Sequence, residues 1–544
     1  MLSYRKLAMR VLGRPLHTGG SDSPRPASQR AAALILTAAM LTTLTAPAFA
    51  KEWYIEEGDI TVRAGETEGT NKVSQGENPE VEDTNTVITN SDKDKASSNT
   101  VTIEAKDKDD KVEVTLKDVN IDTSSRNKAA VSVTGEGNTN IELDGDNALK
   151  SDIYSSGISS SGSLTISGGE NDSLTAQGGS GADGIYSSGS LTISGGTVTA
   201  NGGSSGGGDG GDGIWSSGGV TISGGSTVTA NGGNGKDDYG GDGIYSSGVT
   251  ISGGSTVTAN GGNGGNVSGA GIISDGGVTI SGGTVKAAGG DSKDGYGGDG
   301  IRSGGGVTIS GNTVNAAGGN GGKVGGYGIC SFDRVAISGG TVEAAGGNGS
   351  TGGGSGIYSS VIDLSGSLEL TAKAGSPNGK ALSRAGSELD LDTIKDKLGP
   401  GAKVTATDAN GETKQVSVPR PVEPEKPVIP EESSSSSDGG SATPSAPASP
   451  LPGLTVTDKD GQRISYTSTQ SGNTLTVCVG RLTASLRASL ATLRQLRAEG
   501  IDTITFQTIL CSTTLSLDEL LAMGGEDAEA VLTHRLTASS LTVG

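Results

Sequence analysis

The sequence predicts an all-β protein: a parallel β-helix solenoid with about 28–30 residues per coil, followed by a small C-terminal α+β domain. Three observations predict the solenoid. Similar units begin with Gly-Ile every 27 to 30 residues, and a fixed period in this range is typical of stacked repeats. Each unit holds three short segments in which apolar and polar residues alternate. No proline occurs between Pro79 and Pro377, where every backbone N–H would bond to a neighbouring coil. The units begin at Gly157, Gly184, Gly213, Gly243, Gly271, Gly300, Gly328 and Gly356.

The three segments of a unit read GIYS, VTIS and TVTA, and each is closed by a glycine-rich turn. Because side chains alternate between the two faces of a strand, each segment has an inward and an outward set. In the unit that starts at Gly243, the inward set is Ile244, Val249, Ile251, Val257 and Ala259. The outward set is Tyr245, Thr250, Ser252 and Thr258. β-Branched residues inside and glycine at the bends predict one coil of a β-helix.

The domain order follows from changes in composition. Residues 51–418 form the predicted β-helix, with the glycine-rich repeats at 157–379. Residues 419–452 are rich in Pro and Ser and predict a linker. Residues 453–544 predict the separate α+β domain. Within 51–418, irregular opening coils precede the repeats, and LDLDTIKDKL predicts a short helical turn that caps the last coil.

Residues 1–50 predict a signal peptide. Basic residues precede an apolar run that ends in Ala48-Phe49-Ala50, a small-x-small cleavage pattern. A retained membrane anchor is the alternative, but the apolar run is short for a spanning helix. We therefore expect a secreted protein, extracellular or at the cell surface, where the C-terminal domain would contact a cell-surface component.

The C-terminal domain shows helix and strand patterns. A leucine stripe predicts a helix that stops at Gly500, and Ser516 with Glu519 predicts the capping box of a second helix. The stripe comprises Leu486, Leu490, Leu493 and Leu496. Outside the cell Cys478 can pair with Cys511 in a disulfide, and two reduced thiols are the alternative.

Charge and histidine content exclude several function classes. The net charge of −21 argues against nucleic acid and anionic membranes as partners. His534 is the single histidine beyond residue 50, so Ser-His, Cys-His and His-ligated metal chemistry is excluded from the repeats.

The glycine-rich turns carry a recurring aspartate. GGSGADGIY and GGDGGDGIW fit the calcium-binding nonapeptide GGxGxDxUx. The aspartates are Asp183, Asp212, Asp242 and Asp299. Carboxylates stacked from coil to coil repel each other unless a cation or water separates them. Two interpretations stay open: a calcium cofactor, or solvated turn residues.

Aromatic residues cluster along one edge of the solenoid. Tyr186, Trp215, Tyr245 and Tyr358 follow the inward Ile of their units, and Tyr239 and Tyr296 lie in the turn before it. Exposed rings in a row would let the apolar faces of sugar rings stack, which predicts a carbohydrate-binding edge. The alternative is a cross-coil ladder that only stabilises the stack.

Charged outward residues are scattered and do not converge as an acid–base site requires. The sequence therefore predicts a protein without enzymatic activity. These residues are Lys286, Glu343, Arg302, Asp333 and Arg334.

Residues 51–410 resemble exported β-helical carbohydrate-binding-domain proteins of clostridia and related gut Firmicutes. The resemblance rests on three segments: KEWYIEEGDITV, the coil VTLKDVNI…AAVSV…IELDGDNAL and the repeated VTISGGTVTA. The resemblance implies a polysaccharide-lyase-like fold that binds plant or acidic polysaccharide without established cleavage, with calcium as a candidate cofactor. We expect a non-catalytic protein that binds an extended polysaccharide along the β-helix face. An adhesin or structural surface protein with a protein partner is the alternative, and a polysaccharide lyase is the second.

Overall fold

A computed structural model provides the structure of the protein. The residues it describes are 51–67, 69–419, 454–458, 462–464, 466–471, 473–479, 483–508, 512–517, 520–521, 529–534 and 539–543. The predicted signal peptide lies outside them, and so does the predicted linker except residue 419. No helix in these ranges has the length and apolar character needed to cross a membrane.

The first part of the chain forms a β-solenoid of about 13 turns, as predicted. Each regular coil contributes one strand to each of three parallel sheets, and equivalent residues pair in register, as in Ile185, Ile214 and Ile244. Sheet 1 comprises Ile60–Ala64, Val101–Glu104, Val131–Thr134, Ile158–Ser160, Ile185–Ser187, Ile214–Ser216, Ile244–Ser246, Ile272–Ser274, Ile301–Ser303, the first parts of Ile329–Ile337 and Ile357–Leu364, and Leu382–Arg384.

Sheets 2 and 3 complete the coils. Sheet 2 comprises Glu52–Tyr54, Val87–Thr89, Lys111–Lys117, Asn138–Asp144, the first parts of Ser163–Ser180 and Leu191–Gly203, Val220–Ser223, Val249–Ile251, Val278–Ile280, Val307–Ile309, and the second parts of Ile329–Ile337 and Ile357–Leu364. Sheet 3 comprises Asn120–Asp122, Asp146–Lys150, the second parts of Ser163–Ser180 and Leu191–Gly203, Thr227–Asn231, Thr256–Asn260, Thr284–Ala288, Asn312–Ala317, Gly340–Ala345, Leu368–Lys373 and Lys403–Thr407.

A narrow apolar core runs through the coils. The inward residues predicted for the Gly243 unit are all buried, and the outward ones are half-buried or exposed. Sheet 1 contributes Ile, sheet 2 contributes Val and Ile, and sheet 3 contributes Val and Ala. Because each side chain packs on its copy one coil away, the pattern of one unit fixes the core of its neighbours.

In the coils from Ile158 to Ile357, a buried serine lies two residues after the inward Ile of sheet 1, at the corner toward sheet 2. The Ser187, Ser216 and Ser246 hydroxyls donate to the carbonyls of nearby turn glycines, for example Ser246 Oγ to Gly248 O at 2.8 Å. The same carbonyls also accept backbone N–H groups, for example Gly248 O from Val220 N–H at 2.8 Å. The bonds therefore give each buried serine hydroxyl an acceptor.

The glycine-rich turns between sheets 3 and 1 are narrow necks that carry a short loop, here called the lobe. Gly241 N–H donates to Gly233 O at 2.9 Å within one coil, and Gly233 N–H donates to Gly211 O at 2.8 Å in the preceding coil. A Cβ on Gly233 would lie 2.3 Å from Gly203 O. Glycine is required at the neck because backbones approach closely there, which no side chain would permit. The lobes of three successive coils are residues 204–209, 234–239 and 263–268.

Both ends of the solenoid are covered by antiparallel or helical segments. Strands Asn71–Gln75 and Val81–Asp83 pair antiparallel at the start, next to the 3₁₀ turn Ile55–Glu57. At the far end lie Ser387–Glu388, the predicted helical turn, here 3₁₀ helix Leu391–Lys397, and Thr413–Ser417. Such segments keep open strand edges from pairing with another chain.

The C-terminal residues have their own apolar core around Phe506. Helix α1, Leu490–Ala498, is capped by Ser489 and stops before Gly500, whose φ is +90°. The prediction for Leu486 was wrong: it lies in a strand, because the helix begins only after the Ser489 cap. Glu519 of the predicted capping box lies outside the described residues. One sheet holds Leu454–Thr457, Ala484–Ser489, Glu529–His534 and Ser539–Val543, and the other holds Thr467–Ser471, Thr474–Cys478, Thr503–Gln507 and Ser512–Ser516.

Candidate functional site

Three aromatic side chains of sheet 1 stack on each other. The ring centroids of Tyr186 and Trp215 lie 4.6 Å apart and those of Trp215 and Tyr245 lie 6.1 Å apart, each pair with planes 3° from parallel. Tyr245 Oη donates to Asp275 Oδ2 at 3.0 Å. Because the Tyr186–Trp215 separation is close to the strand spacing of about 4.8 Å, these two ring planes lie across the direction in which the coils stack. We call these three side chains the aromatic ladder.

Stacking covers most of the ring faces of the ladder. Trp215 has a ring on either side, and Tyr245 is followed by Ile273 at the next rung. Tyr186 differs because the preceding rung is Ser159, and the rung before that is Ser132. Serine has no ring, so no aromatic side chain stacks on Tyr186 from these two rungs. One face of Tyr186 is therefore free, and a groove begins there.

The groove has a volume of about 460 Å³. Ser132 and Ser159 form its floor and Tyr186 forms one end. Tyr154 lines the turn side and is the most exposed aromatic residue described, with 84% of its surface accessible. A Cβ placed on Gly181 would lie 3.8 Å from Cε1 of Tyr154, so this exposed ring lies near Gly181.

Charged and amide groups surround the same groove. Asn127 and Lys128 lie on the turn side and are exposed, and Asp183 lies beside Tyr186. Burial raises the pKa of the Asp183 carboxyl to about 6. Near neutral pH the groove therefore offers an ammonium group, a carboxylate, an amide and hydroxyls next to two aromatic rings, a combination typical of sites for polar ring compounds.

Sequence reasoning missed Tyr154. The pentapeptide IYSSG occurs at 153–157 and again at 185–189 and 244–248. In the two later copies Ile and Tyr lie in sheet 1, whereas Ile153 and Tyr154 lie in the turn before the strand Ile158–Ser160. The early copy ends at Gly157, where its unit starts. This difference in position could have indicated that Tyr154 does not lie in sheet 1.

The other predicted aromatic residues lie away from this groove. Tyr239 and Tyr296 lie at the ends of their lobes, each about half exposed, and the backbone of Val267 bridges them. Tyr358 stacks on Tyr327, with centroids 5.1 Å apart. The structure thus groups the six predicted binding residues into a ladder, a lobe pair and a separate tyrosine.

The turn aspartates form a column in which each carboxylate accepts a hydrogen bond from a backbone N–H group. The Asp183 carboxylate accepts from Asp212 N–H at 2.7 Å, and Asp212 accepts from Asp242 N–H at 2.6 Å. Asp242 accepts from Ala270 N–H at 2.6 Å. Asp299 is buried and accepts from Tyr327 N–H at 2.7 Å. Each carboxylate thus links its coil to the next.

The column is electrostatically unfavourable when ionised. Burial raises the pKa of Asp242 to about 7 and that of Asp299 to about 6. Burial and the neighbouring Asp242 and Asp183 carboxylates raise the pKa of Asp212. In the part of the chain that the structure describes, no cluster of three or more His, Cys, Asp or Glu is arranged to hold a metal ion. Calcium at these aspartates stays a prediction, which unfolding temperatures with and without calcium would test.

Two of the charged outward residues, Arg302 and Arg334, form ion pairs with aspartates. Arg334 Nε lies 3.2 Å from Asp363 Oδ2, and Lys397 Nζ lies 3.8 Å from Asp363 Oδ1. Arg302 lies over the Phe332 ring, 5.3 Å from its centroid. Exposed pairs of this kind contribute little stability.

The cysteines differ in environment. Burial raises the pKa of the Cys330 thiol to about 12, so this thiol is unreactive near neutral pH. Cys478 Sγ lies 3.5 Å from Gln507 Oε1. Cys511 lies outside the described residues, so its pairing with Cys478 stays a prediction.

Comparison with known proteins adds no relative. No family model matches the chain, and neither a curated protein nor a solved structure is significantly similar to it.

Proposed function

We propose that the protein is a secreted or cell-surface carbohydrate-binding protein without catalytic activity, and that the groove beside Tyr186 holds a sugar ring of a plant or acidic polysaccharide. The uncovered face of Tyr186 carries this proposal. A pyranose has a flat C–H face that packs on an aromatic ring, while its hydroxyls require polar partners at the rim. The groove offers both within one coil spacing.

Stacking on Trp215 fixes the orientation of the Tyr186 ring before a sugar binds. The Tyr186 ring is held parallel to that of Trp215 at 4.6 Å. A side chain that is already ordered loses little rotamer entropy on binding. Ser132 and Ser159 on the floor and Asn127 and Lys128 on the turn side supply hydrogen-bond partners for sugar hydroxyls or a carboxylate.

A protein partner is the second candidate function. The observation that favours it is the lobe pair Tyr239 and Tyr296, because exposed tyrosines are enriched at protein interfaces. If Tyr239→Ser with Tyr296→Ser abolished surface attachment while glycan binding persisted, the lobes would serve this separate role.

An array of cello-, xylo- and galacturono-oligosaccharides tests the proposed function. The full chain is compared with Ser159→Tyr, which places a fourth ring on Tyr186 and fills the groove. Thr250→Tyr is the matched control, because Thr250 is an exposed outward residue of sheet 2. We expect binding by the wild type and the control, and at least a tenfold loss in Ser159→Tyr. Absence of binding to every oligosaccharide by the folded wild type would contradict the proposal.

A further inference from the structure

We infer that the groove binds the end of a glycan chain and excludes the interior of an extended chain; this inference rests on the proposed function. It concerns the path that a bound chain can take. The sequence alone favoured an extended polysaccharide along the β-helix face, and the arrangement of rings around the groove favours a different path.

The first constraint lies along the direction in which the coils stack. A chain running over Ser132 and Ser159 toward the later coils would meet the face of Tyr186, whose ring lies across that direction. Behind Tyr186 the rings of Trp215 and Tyr245 occupy the next two rungs of the same column. The ladder therefore stops the chain at Tyr186 instead of supporting it.

The second constraint lies on the turn side. Tyr154 stands out from the surface near Gly181 and lines the groove together with Asp183 and Tyr186. A sugar stacked on Tyr186 therefore meets the Tyr154 side chain on this side. The floor is two rungs long, about 10 Å at the usual strand spacing. With rings on two adjacent sides, an interior sugar stacked on Tyr186 would need both of its linked neighbours on the remaining sides, whereas a terminal sugar needs room for only one.

The polar groups are placed to recognise that terminus. A chain end differs from the interior in carrying a hydroxyl where the next sugar would be linked. Asn127, Lys128 and Asp183 lie on the side of Tyr154, where such a hydroxyl would point. A linked sugar at that position would collide with the Tyr154 side chain, so this side of the groove selects for the terminus by exclusion as much as by attraction.

Titration calorimetry against chain length tests the inference. The probes are cello-, xylo- and galacturono-oligosaccharides of one to six sugars and their parent polymers, with the full chain. We expect the molar Kd to be constant within twofold from three to six sugars. We also expect each polymer to bind in proportion to its number of chain ends, so that brief endo-hydrolysis raises binding at constant sugar mass.

Two results would overturn the inference. A Kd that decreases tenfold or more from three to six sugars would show that the chain occupies an extended surface. A polymer that binds as well per sugar as the hexamer would show that interior residues are accepted. Both results leave carbohydrate binding intact. Failure of all three series to bind would remove the proposed function and this inference together.

Discussion

The outward column of sheet 1 has two regions that share a backbone and differ in side chains. Ser132 and Ser159 occupy it in the coils before Gly184, and Tyr186, Trp215 and Tyr245 occupy it in the coils after. Pairing is parallel and in register throughout. The repeated backbone alone therefore does not form the candidate site. The site lies where the aromatic ladder ends against smaller side chains.

The turns of the two regions differ in the same way. Later coils extend into lobes through glycine necks, whereas the turn at 153–156 is short and carries Tyr154. In this turn a tyrosine stands above the surface, and in the later turns backbone packs on backbone. The boundary between the regions therefore has an aromatic ring on two sides.

Adding a side chain at a neck glycine should cause the largest loss of stability. Gly233→Ala would place a Cβ 2.3 Å from Gly203 O, a contact that forces two coils apart. We expect a loss of about 3 kcal/mol or more in the free energy of unfolding, measured by chemical denaturation. Gly207→Ala is the control, since a Cβ at this lobe position meets nothing within 4 Å. Equal stability of the two variants would show that close approach does not explain the neck glycines.

Replacing a ladder ring by the serine of the early coils should have the next largest effect. Trp215→Ser removes two stacked pairs, and each such pair contributes about 0.5–1.5 kcal/mol beyond the area it buries. We expect a loss of about 2 kcal/mol in unfolding experiments. Tyr239→Ser, a half-exposed lobe residue, should change stability by less than about 0.5 kcal/mol. A loss no larger in Trp215→Ser than in Tyr239→Ser would contradict a stabilising ladder.

The aspartate column, which begins at Asp183 beside Tyr186, predicts a smaller, pH-dependent effect. Burial raises the pKa of Asp242 to about 7, above the unfolded value of about 3.8. The stabilisation is complete below pH 4 and is lost as the pH rises through 7. Asp242→Asn keeps an oxygen acceptor for Ala270 N–H without the charge. We expect it to be more stable than the wild type by at least about 1 kcal/mol at pH 8, with no such gain at pH 4. A gain equal at both pH values would contradict the raised pKa.

The fold could be predicted from sequence because every unit repeats the same information. The alternation of Ile244, Val249 and Ile251 sets their burial, and the coil length sets the register. The site could be predicted only in part. The column of rings was visible, but a single-sequence pattern does not show whether rings face solvent or each other. Tyr154 was missed because its IYSSG copy lies in a turn, a position fixed by the register of the coils around it.

The central claim is that the free face of Tyr186 contacts a sugar ring. Saturation-transfer NMR, with irradiation of the aromatic protons in the presence of a trisaccharide from the oligosaccharide series that binds, tests it most directly. We expect transfer to the C–H protons on one face of the terminal sugar in the wild type, and its loss in folded Ser159→Tyr. Transfer of equal strength in Ser159→Tyr, or transfer spread evenly over all three sugars, would contradict the account.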